Sequence, residues 1–280
     1  MTKVDNINVS FIKMEKIGVQ ASAIDLKKIK PEDLISIKEE LSKEGFILFR
    51  NQALDDKDLI SLGKQVGNGR LEASAFSVNH GKAIKEVGYI TNLKRPDGSP
   101  LGNSLNTTDF WHSDQEFREN PASIGILFCL IPPEKEGQTS FVSTSMSLVK
   151  KNKIKKLQGL WSTREPAVVH DNAPRLTVSH PTILQNPYTK MEFVYVSENT
   201  IDFRDTHNAK KEINKYDILQ DLLTSDKIYS HDWQSGDIIL YDNAQLLHRR
   251  EKYEGIRFLK SLKIYPDDKY NTSIPGKVIS

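Results

Sequence analysis

The sequence has little cysteine, little excess charge and no long apolar run, and each shortage excludes a class of protein. Cys129 is the single cysteine among 280 residues, which excludes an intrachain disulfide framework and a CxxC metal or redox motif. The 39 basic and 37 acidic residues leave a formal net charge of +2, which gives no global attraction to nucleic acid or to an anionic membrane. No run approaches the roughly 18 apolar residues of a membrane helix, and the first residues lack the apolar core of a signal peptide. We therefore expect a cytoplasmic protein.

Several common catalytic motifs are also absent. The sequence contains no GxSxG, no HExxH and no Walker-type GxxxxGK[ST], and the glycines at Gly67 and Gly69 lack the third glycine of a dinucleotide fingerprint. Cys129 lies in the apolar run 126–131, which predicts a buried small side chain rather than a nucleophile. Serine hydrolases, cysteine enzymes and dinucleotide oxidoreductases are therefore disfavoured.

The first third of the chain alternates helix and strand signals. A helix opened by Pro31 and closed by Gly45 is predicted, because proline suits the first turn and glycine the residue after the last. A buried strand over 46–49 follows, and then a second helix capped by Asp55 or Asp56.

The rest of the chain reads mainly as strands. The predicted strands cover 124–131, 139–144, 192–196, 237–241 and 257–265, with helical sequence only at 145–160 and 209–223. This order favours one domain over 1–280, a β-sandwich or jelly roll with helices packed outside. Within 70–110, the long polar stretch 91–109 is typical of a lid loop over a binding site. The lysines of 150–156 are interleaved with an apolar stripe, which predicts a solvated helix face rather than a phosphate-binding surface.

One short motif carries metal-binding chemistry. His112-Ser113-Asp114 is the single H-x-[DE] triplet among seven histidines, although about one is expected by chance. In extended backbone the first and third residues point to the same side, so His112 and Asp114 can face one ion. His248, shortly after a predicted strand, is a candidate third ligand. Two imidazoles and a carboxylate form the facial set of non-haem Fe(II) oxygenases, while a buried structural histidine is the alternative for each.

Arg257 opens the last strand beside this candidate metal site. An arginine at the head of an otherwise apolar strand face suits a carboxylate, which guanidinium binds with two parallel hydrogen bonds. Thr139 can add a hydroxyl to the same carboxylate. The alternative for Arg257 is a surface arginine on a strand.

These residues resemble the taurine dioxygenase family (TauD/TfdA type) of Fe(II)/2-oxoglutarate oxygenases. The resemblance covers about residues 10 to 265 and rests on blocks in the family's order: 44–50, 111–115, 137–141, 180–183 with 193–196, 233–243, and His248 with 257–259. It implies a double-stranded β-helix with flanking helices. It also implies His112, Asp114 and His248 as iron ligands, and Arg257 with Thr139 holding the far carboxylate of 2-oxoglutarate.

The resemblance further implies Fe(II), 2-oxoglutarate and O₂ as cofactors and a small-molecule substrate. Asn243 is expected to brace the ligand-bearing turn, and Trp233 to pack in the core near the site. Sulfonate-binding members carry a second arginine four residues after the keto-acid arginine, where this chain has Ser261. Taurine is therefore disfavoured.

A narrower resemblance concerns the branch that acts on isonitrile derivatives of tyrosine or tryptophan. It rests on 111–118 and 139–144, and implies desaturation with oxidative decarboxylation to a vinyl isonitrile, with an isonitrile synthase as pathway partner. The candidate substrate residues are Thr108, Gln115, Phe117, Arg118, Arg175, Thr200 and Ser261.

Three alternatives remain open. The first is hydroxylation of another small carboxylate or a sulfonate. The second is a non-catalytic jelly-roll binding protein, and the third is Zn(II)-dependent hydrolysis at the same ligands. No nucleic-acid or membrane partner is expected, and a homo-oligomer is the default expectation.

Overall fold

The computed structural model describes residues 9–22, 24–74, 77, 84–103, 108–165 and 176–279. The four α-helices of this part are α1 (Pro31–Glu44), α2 (Asp56–Val66), α3 (Lys151–Leu157) and α4 (Lys215–Leu222), with 3₁₀ turns at Leu26–Lys28 and Met146–Leu148. Its strands are β1 (Phe11–Lys13), β2 (Val19–Ala21), β3 (Phe46–Phe49), β4 (Leu71–Glu72), β5 (Gly88–Thr91), β6 (Ile124–Ile131), β7 (Lys135–Glu136), β8 (Thr139–Ser143), β9 (Trp161–Arg164), β10 (Thr177–Pro181), β11 (Ile183–Gln185), β12 (Glu192–Val194), β13 (Thr200–Arg204), β14 (Lys210–Lys211), β15 (Tyr229–His231), β16 (Ile238–Asp242), β17 (Leu246–Arg250), β18 (Tyr253–Glu254), β19 (Phe258–Ile264) and β20 (Lys277–Ile279).

The first two helices begin and end where the sequence predicts. α1 has Pro31 in its first turn and ends at Gly45, whose φ of 69° lies in the left-handed region that glycine tolerates. α2 is capped by Asp55, which accepts from the N–H of Asp58 while the Asp58 carboxylate accepts from the N–H of Asp55. Both helices pack on one face of the large sheet.

Two predicted helices are shorter than the sequence suggested. The segment 145–160 forms a 3₁₀ turn followed by α3, because Lys150 between them has extended dihedral angles. The segment 209–223 becomes helical only at Lys215, since Lys210 and Lys211 pair with β13 as strand β14. Ile154, Leu157 and Leu160 pack into the core beneath α3, which confirms the predicted apolar stripe.

Two facing sheets form the jelly roll that the sequence predicts. The large sheet runs in the order β1-β2-β3-β16-β6-β19-β4, with β5 also pairing β19, and the smaller facing sheet is β15-β8-β17. A separate five-stranded sheet has the order β14-β13-β9-β10-β20. Among the described residues, no helix is long and apolar enough to cross a membrane.

Side chains alternate between the interior of the jelly roll and the outer layers. On β6, Ile126 and Phe128 face α1 and α2, while Leu127 and Cys129 face the interior. Cys129 is fully buried, which confirms its prediction as a core residue, and burial raises its pKa to about 12. The same alternation directs the even-numbered residues Leu262 and Ile264 of β19 toward the helices, so the odd-numbered residues face inward.

Candidate active site

Two histidines lie side by side because the backbone pairs at their positions. The N–H of His112 donates to the carbonyl oxygen of His248 at 3.1 Å, and the N–H of His248 donates back to that of His112 at 3.0 Å. This isolated bridge places the two ring centroids 4.3 Å apart. This pairing brings residues 112 and 248, which are far apart in sequence, to the same side of the interior.

The carboxylate of Asp114 completes a cluster with these two rings. One potential ligand atom from each of the three residues lies within 4.8 Å of the others, and both histidines are buried. The side chain of Asn243 fixes the turn, since its Oδ1 accepts from the N–H of Asp114 and its Nδ2 donates to the Asp114 carbonyl oxygen. This is the bracing contact predicted for Asn243.

Two groups that the sequence reading missed hold the Asp114 carboxylate. Tyr241 Oη and Lys263 Nζ both donate to Oδ2 of Asp114, and Lys263 also donates to Tyr241 Oη at 2.8 Å. Tyr241 can lie over the sheet here because its partner across the β16–β6 ladder is Gly125, and a Cβ at that position would collide with the phenol ring.

The charges at the cluster suit a divalent cation. Burial opposes ionisation of Asp114, but Lys263 and the two imidazoles outweigh it and hold the pKa of this carboxyl well below its usual range. Burial lowers the pKa of His248 to about 3, so its ring is neutral and can offer a nitrogen lone pair to a metal ion. Nδ1 of His112 lies 2.9 Å from the carbonyl oxygen of Phe110, which favours the proton on Nδ1 and leaves Nε2 for a ligand.

Arg257 and Thr139 lie together in the same interior. The guanidinium NH2 of Arg257 donates to Thr139 Oγ1 at 3.3 Å, and Arg257 is 3% exposed. Its Nε is buried with no hydrogen-bond partner among the described residues, and burial lowers its pKa to about 10. A buried guanidinium with unused donors is suited to an anionic ligand.

One cavity connects the cluster with the Arg257–Thr139 pair. The described residues that line it are Ile90, Thr108, His112, Asp114, Leu127, Thr139, Tyr241, His248, Arg250, Arg257 and Lys263. Six of these were predicted from sequence, counting Thr108 as a substrate residue. Ile90 and Thr108 fall in the segment 70–110, which was expected to contain a substrate-side lid loop, while 75–76, 78–83 and 104–107 lie outside the described residues.

Four other candidate substrate residues are not among the described residues that line the cavity, and each makes a contact elsewhere. Gln115 has a left-handed φ of 56°, and its Oε1 accepts from the Ala122 N–H at 3.4 Å. Arg118 pairs with Glu72 at 3.1 Å. The Thr200 hydroxyl accepts from the N–H of Ser197, and Ser261 donates to the carbonyl of Gly88.

The last two predicted substrate residues have different positions. Phe117 is half-buried and is not among the residues lining the cavity. Arg175 falls in 166–175, outside the described part of the chain.

A buried ion pair fixes the segment that follows Asp114. Glu116 Oε2 accepts from Arg164 Nε at 2.6 Å and from Ser197 Oγ at 2.6 Å, and both charged side chains are almost fully buried. His180 Nε2 lies 3.0 Å from the Glu116 carbonyl oxygen. The segment two residues after Asp114 is therefore anchored to β9 and β10.

Comparison with known proteins identifies the family. Residues 13–262 match the sequence profile described as taurine catabolism dioxygenase TauD, TfdA family. The chain belongs to this family. The TauD/TfdA resemblance predicted from sequence is thus confirmed, and with it an enzyme rather than a non-catalytic binding protein.

Individual relatives are distant but cover nearly the whole TauD/TfdA chain. The alpha-ketoglutarate-dependent 2,4-dichlorophenoxyacetate dioxygenase of Burkholderia sp. (strain RASC) is 22% identical over 250 residues, 81% of this chain and 82% of that protein. Pentalenolactone F synthase of Streptomyces avermitilis is 21% identical over 283 residues, 89% and 90% of the two chains. The crystal structure of AAD-2 in complex with Mn(II) and N-oxalylglycine superposes with a TM-score of 0.76 at 16% identity, covering 93% of this chain and 98% of that one.

The cofactors of this dioxygenase are those of the TauD/TfdA family, Fe(II), 2-oxoglutarate and O₂. The residues present fit them on their own chemistry: a carboxylate with two imidazoles for iron, and a buried guanidinium with unused donors for a dicarboxylate. The substrate is a small molecule.

Proposed function

We propose that His112, Asp114 and His248 hold the iron of this oxygenase. The observation that carries the proposal is the convergence of their ligand atoms within 4.8 Å in one buried cavity. Two imidazoles and one carboxylate on one face of an octahedral ion leave open positions for a keto acid and dioxygen. Bound iron, with both cosubstrates, supplies the oxidative decarboxylation that drives oxidation of a substrate C–H bond.

Arg257 and Thr139 are proposed to bind the distal carboxylate of 2-oxoglutarate. Both line the cavity with the metal cluster, and the guanidinium keeps a donor unused in the buried interior. Such a clamp orients the keto acid so that its other end reaches the metal. Leu127 and Ile90 add apolar walls that keep water away from the reacting atoms.

The charge of the cavity favours an anionic substrate. Its described lining contains three cationic side chains, Arg250, Arg257 and Lys263, against one carboxylate, Asp114. The two positive charges of Fe(II) and the two negative charges of 2-oxoglutarate cancel, so the charge of the site is that of its lining side chains, which is positive. Ser261 is not a lining residue, but Lys263 supplies a cation two residues further along β19. The absence of an arginine at position 261 therefore does not leave the substrate side neutral.

The substrate we propose is a small amino-acid-derived carboxylate, with tyrosine isonitrile as the specific candidate. Desaturation with oxidative decarboxylation would give a vinyl isonitrile. The segments 111–118 and 139–144 support this choice, and so does a relative that acts on 2,4-dichlorophenoxyacetate, since that molecule also joins an aromatic ring to a carboxylate. Hydroxylation of another carboxylate or a sulfonate is the alternative that the cationic lining also supports.

The same proposal places the enzyme in secondary metabolism. An isonitrile synthase would supply its substrate, and the enzyme would act in the cytoplasm, as a monomer or a homo-oligomer. A relative named for synthesis of pentalenolactone F supports a biosynthetic rather than a degradative role.

An anaerobic visible spectrum tests the cofactor and substrate parts together. Protein loaded with Fe(II) should develop a weak charge-transfer band on addition of 2-oxoglutarate, because the keto acid chelates the metal. We expect tyrosine isonitrile to shift this band and taurine to leave it unchanged. No band in fully loaded protein would refute the proposed iron and keto-acid residues, whereas a band that only taurine shifts would refute the substrate.

Lys263→Met tests the anionic substrate. We expect the tyrosine isonitrile concentration needed to shift the band to rise about 10- to 100-fold, since hydrogen bonds to charged groups contribute about 1.5–3 kcal/mol. Lys263→Arg, which keeps the charge, should recover most of the affinity. Because Lys263 also contacts Asp114, the Mn(II) affinity of each variant is measured alongside. An unchanged substrate titration in Lys263→Met would contradict this role.

A further inference from the structure

The Thr139 hydroxyl has both of its acceptor positions filled by the protein. Its Oγ1 accepts from Trp233 Nε1 at 3.0 Å and from Arg257 NH2 at 3.3 Å. A hydroxyl oxygen has two lone pairs and one hydrogen, so two donors leave the hydrogen as its remaining capacity. Among the described hydrogen bonds, Thr139 donates to no protein group, and its side chain lines the cavity.

Trp233 is itself held in place by a buried polar network. Its indole meets the His231 ring edge to face, with centroids 4.6 Å apart. His231 Nε2 lies 3.0 Å from Asp237 Oδ2, and Tyr229 Oη lies 2.9 Å from His231 Nδ1. An ionised Asp237 carboxylate can only accept, so this contact favours a proton on His231 Nε2, and in that tautomer Nδ1 accepts from Tyr229.

Strand pairing places this network next to Thr139 and Arg257. His231 pairs with Thr139 across the β15–β8 ladder, so the indole two residues later reaches the threonine side chain. Asp237 Oδ2 also accepts from the N–H of Gln234 at 2.8 Å, which fixes the turn between Trp233 and β16. Arg50 pairs with the same carboxylate at 2.6 Å.

We propose that Trp233 is a positioning residue for 2-oxoglutarate, because its N–H occupies an acceptor site of Thr139 and so commits the Thr139 hydroxyl to donate to the distal carboxylate. The inference rests on the proposed role of Arg257 and Thr139 in keto-acid binding. It gives the Trp233 to Asp237 segment a function beyond packing. Without the indole, the hydroxyl could rotate and present an acceptor to an anion, which weakens binding.

The test is a double-mutant cycle on keto-acid affinity. Wild type, Trp233→Phe, Thr139→Val and the double variant are loaded with redox-inert Mn(II) and titrated calorimetrically with 2-oxoglutarate. We expect Trp233→Phe to weaken binding about 3- to 10-fold, the contribution of roughly one hydrogen bond. In the Thr139→Val background, the same change should have no further effect. Additive effects, or unchanged affinity in Trp233→Phe, would overturn the proposal.

A second ligand separates positioning from general damage to the fold. 2-Oxobutyrate keeps the chelating keto acid but lacks the distal carboxylate, so its affinity should be the same in wild type and Trp233→Phe. An equal loss for both keto acids would indicate a structural role and refute the proposal. Trp161→Phe, at an indole that packs under Lys277 in the five-stranded sheet, is the matched control and should leave both affinities unchanged.

Failure of the proposed function and failure of the role of Trp233 give different results. If wild type binds neither Mn(II) nor 2-oxoglutarate, the proposed function fails; if it binds both and the cycle is additive, only the role of Trp233 fails. Should Trp233→Phe not fold, Trp233→Met removes the same N–H, and the same two ligands decide the result.

Discussion

His112→Ala should abolish iron-dependent decarboxylation of 2-oxoglutarate. Removing an outer partner of a metal ligand typically reduces affinity or activity about 10- to 100-fold, and loss of a ligand should exceed that. The variant would leave Asp114 and His248, which cannot enforce a facial set. The measurements are succinate formation with Fe(II) and O₂, and Mn(II) affinity by titration. We expect both to collapse while the melting temperature of the metal-free protein changes little.

His207→Ala provides the matched control for this substitution. His207 is exposed on the turn between β13 and β14, and its backbone N–H, not its ring, bonds to Asp205. This variant should decarboxylate 2-oxoglutarate at the wild-type rate. Full activity in His112→Ala would remove His112 from the ligand set and leave the cluster without its proposed function.

The parts of the fold that sequence predicted well depend on local chemistry. Pro31 and Gly45 bound α1 because each suits one end of a helix, and Asp55 caps α2 through side-chain contacts within four residues. The paired positions of His112 and Asp114 follow equally from the two-residue repeat of extended backbone. Such signals are contained in a few neighbouring residues.

The missed residues depend on contacts that the local sequence does not specify. Lys263 follows the same alternation as Arg257 and Ser261, but a lysine in a strand normally indicates solvent. β19 lies inside the sheet, paired with β6 on one side and with β4 and β5 on the other. This position, which the local sequence does not show, places Lys263 beside Asp114. Tyr241 reads as an ordinary core residue, since nothing nearby in sequence shows that Gly125 lies opposite it.

The candidate substrate residues that do not line the cavity differ from these for another reason. The left-handed φ of 56° at Gln115 and the bond from Arg118 N–H to the Gln115 carbonyl form a tight turn directly after Asp114, and neither residue lines the cavity. Proximity in sequence to Asp114 therefore does not predict a place in the cavity lining. Glu116, the residue after Gln115, is instead fixed by a buried cation 48 residues away at Arg164, which the local sequence does not indicate.

Arg257→Ala should weaken 2-oxoglutarate binding by about 2–4 kcal/mol, roughly 30- to 1000-fold, the cost of truncating one partner of a buried charge pair. Arg257→Lys should recover only part of this, since an ammonium cannot bind a carboxylate through two parallel hydrogen bonds. The measurement is the calorimetric dissociation constant of 2-oxoglutarate with Mn(II) bound. Arg204→Ala, which breaks an ion pair with Asp202 on β13 of the five-stranded sheet, is the control and should bind 2-oxoglutarate normally.

The stability of Arg257→Ala separates a ligand-binding role from a structural one. Without a ligand, Arg257 holds its charge in the interior with Nε unpaired and its pKa lowered to about 10 by burial, which is unfavourable for the folded state. Removing it should therefore leave the free energy of unfolding of the ligand-free protein unchanged or raise it, even as keto-acid affinity falls. A structural arginine would produce the opposite pattern, with lower stability and unchanged affinity. Because the two roles predict different combinations of stability and affinity, one melting curve and one titration of the same variant decide between them.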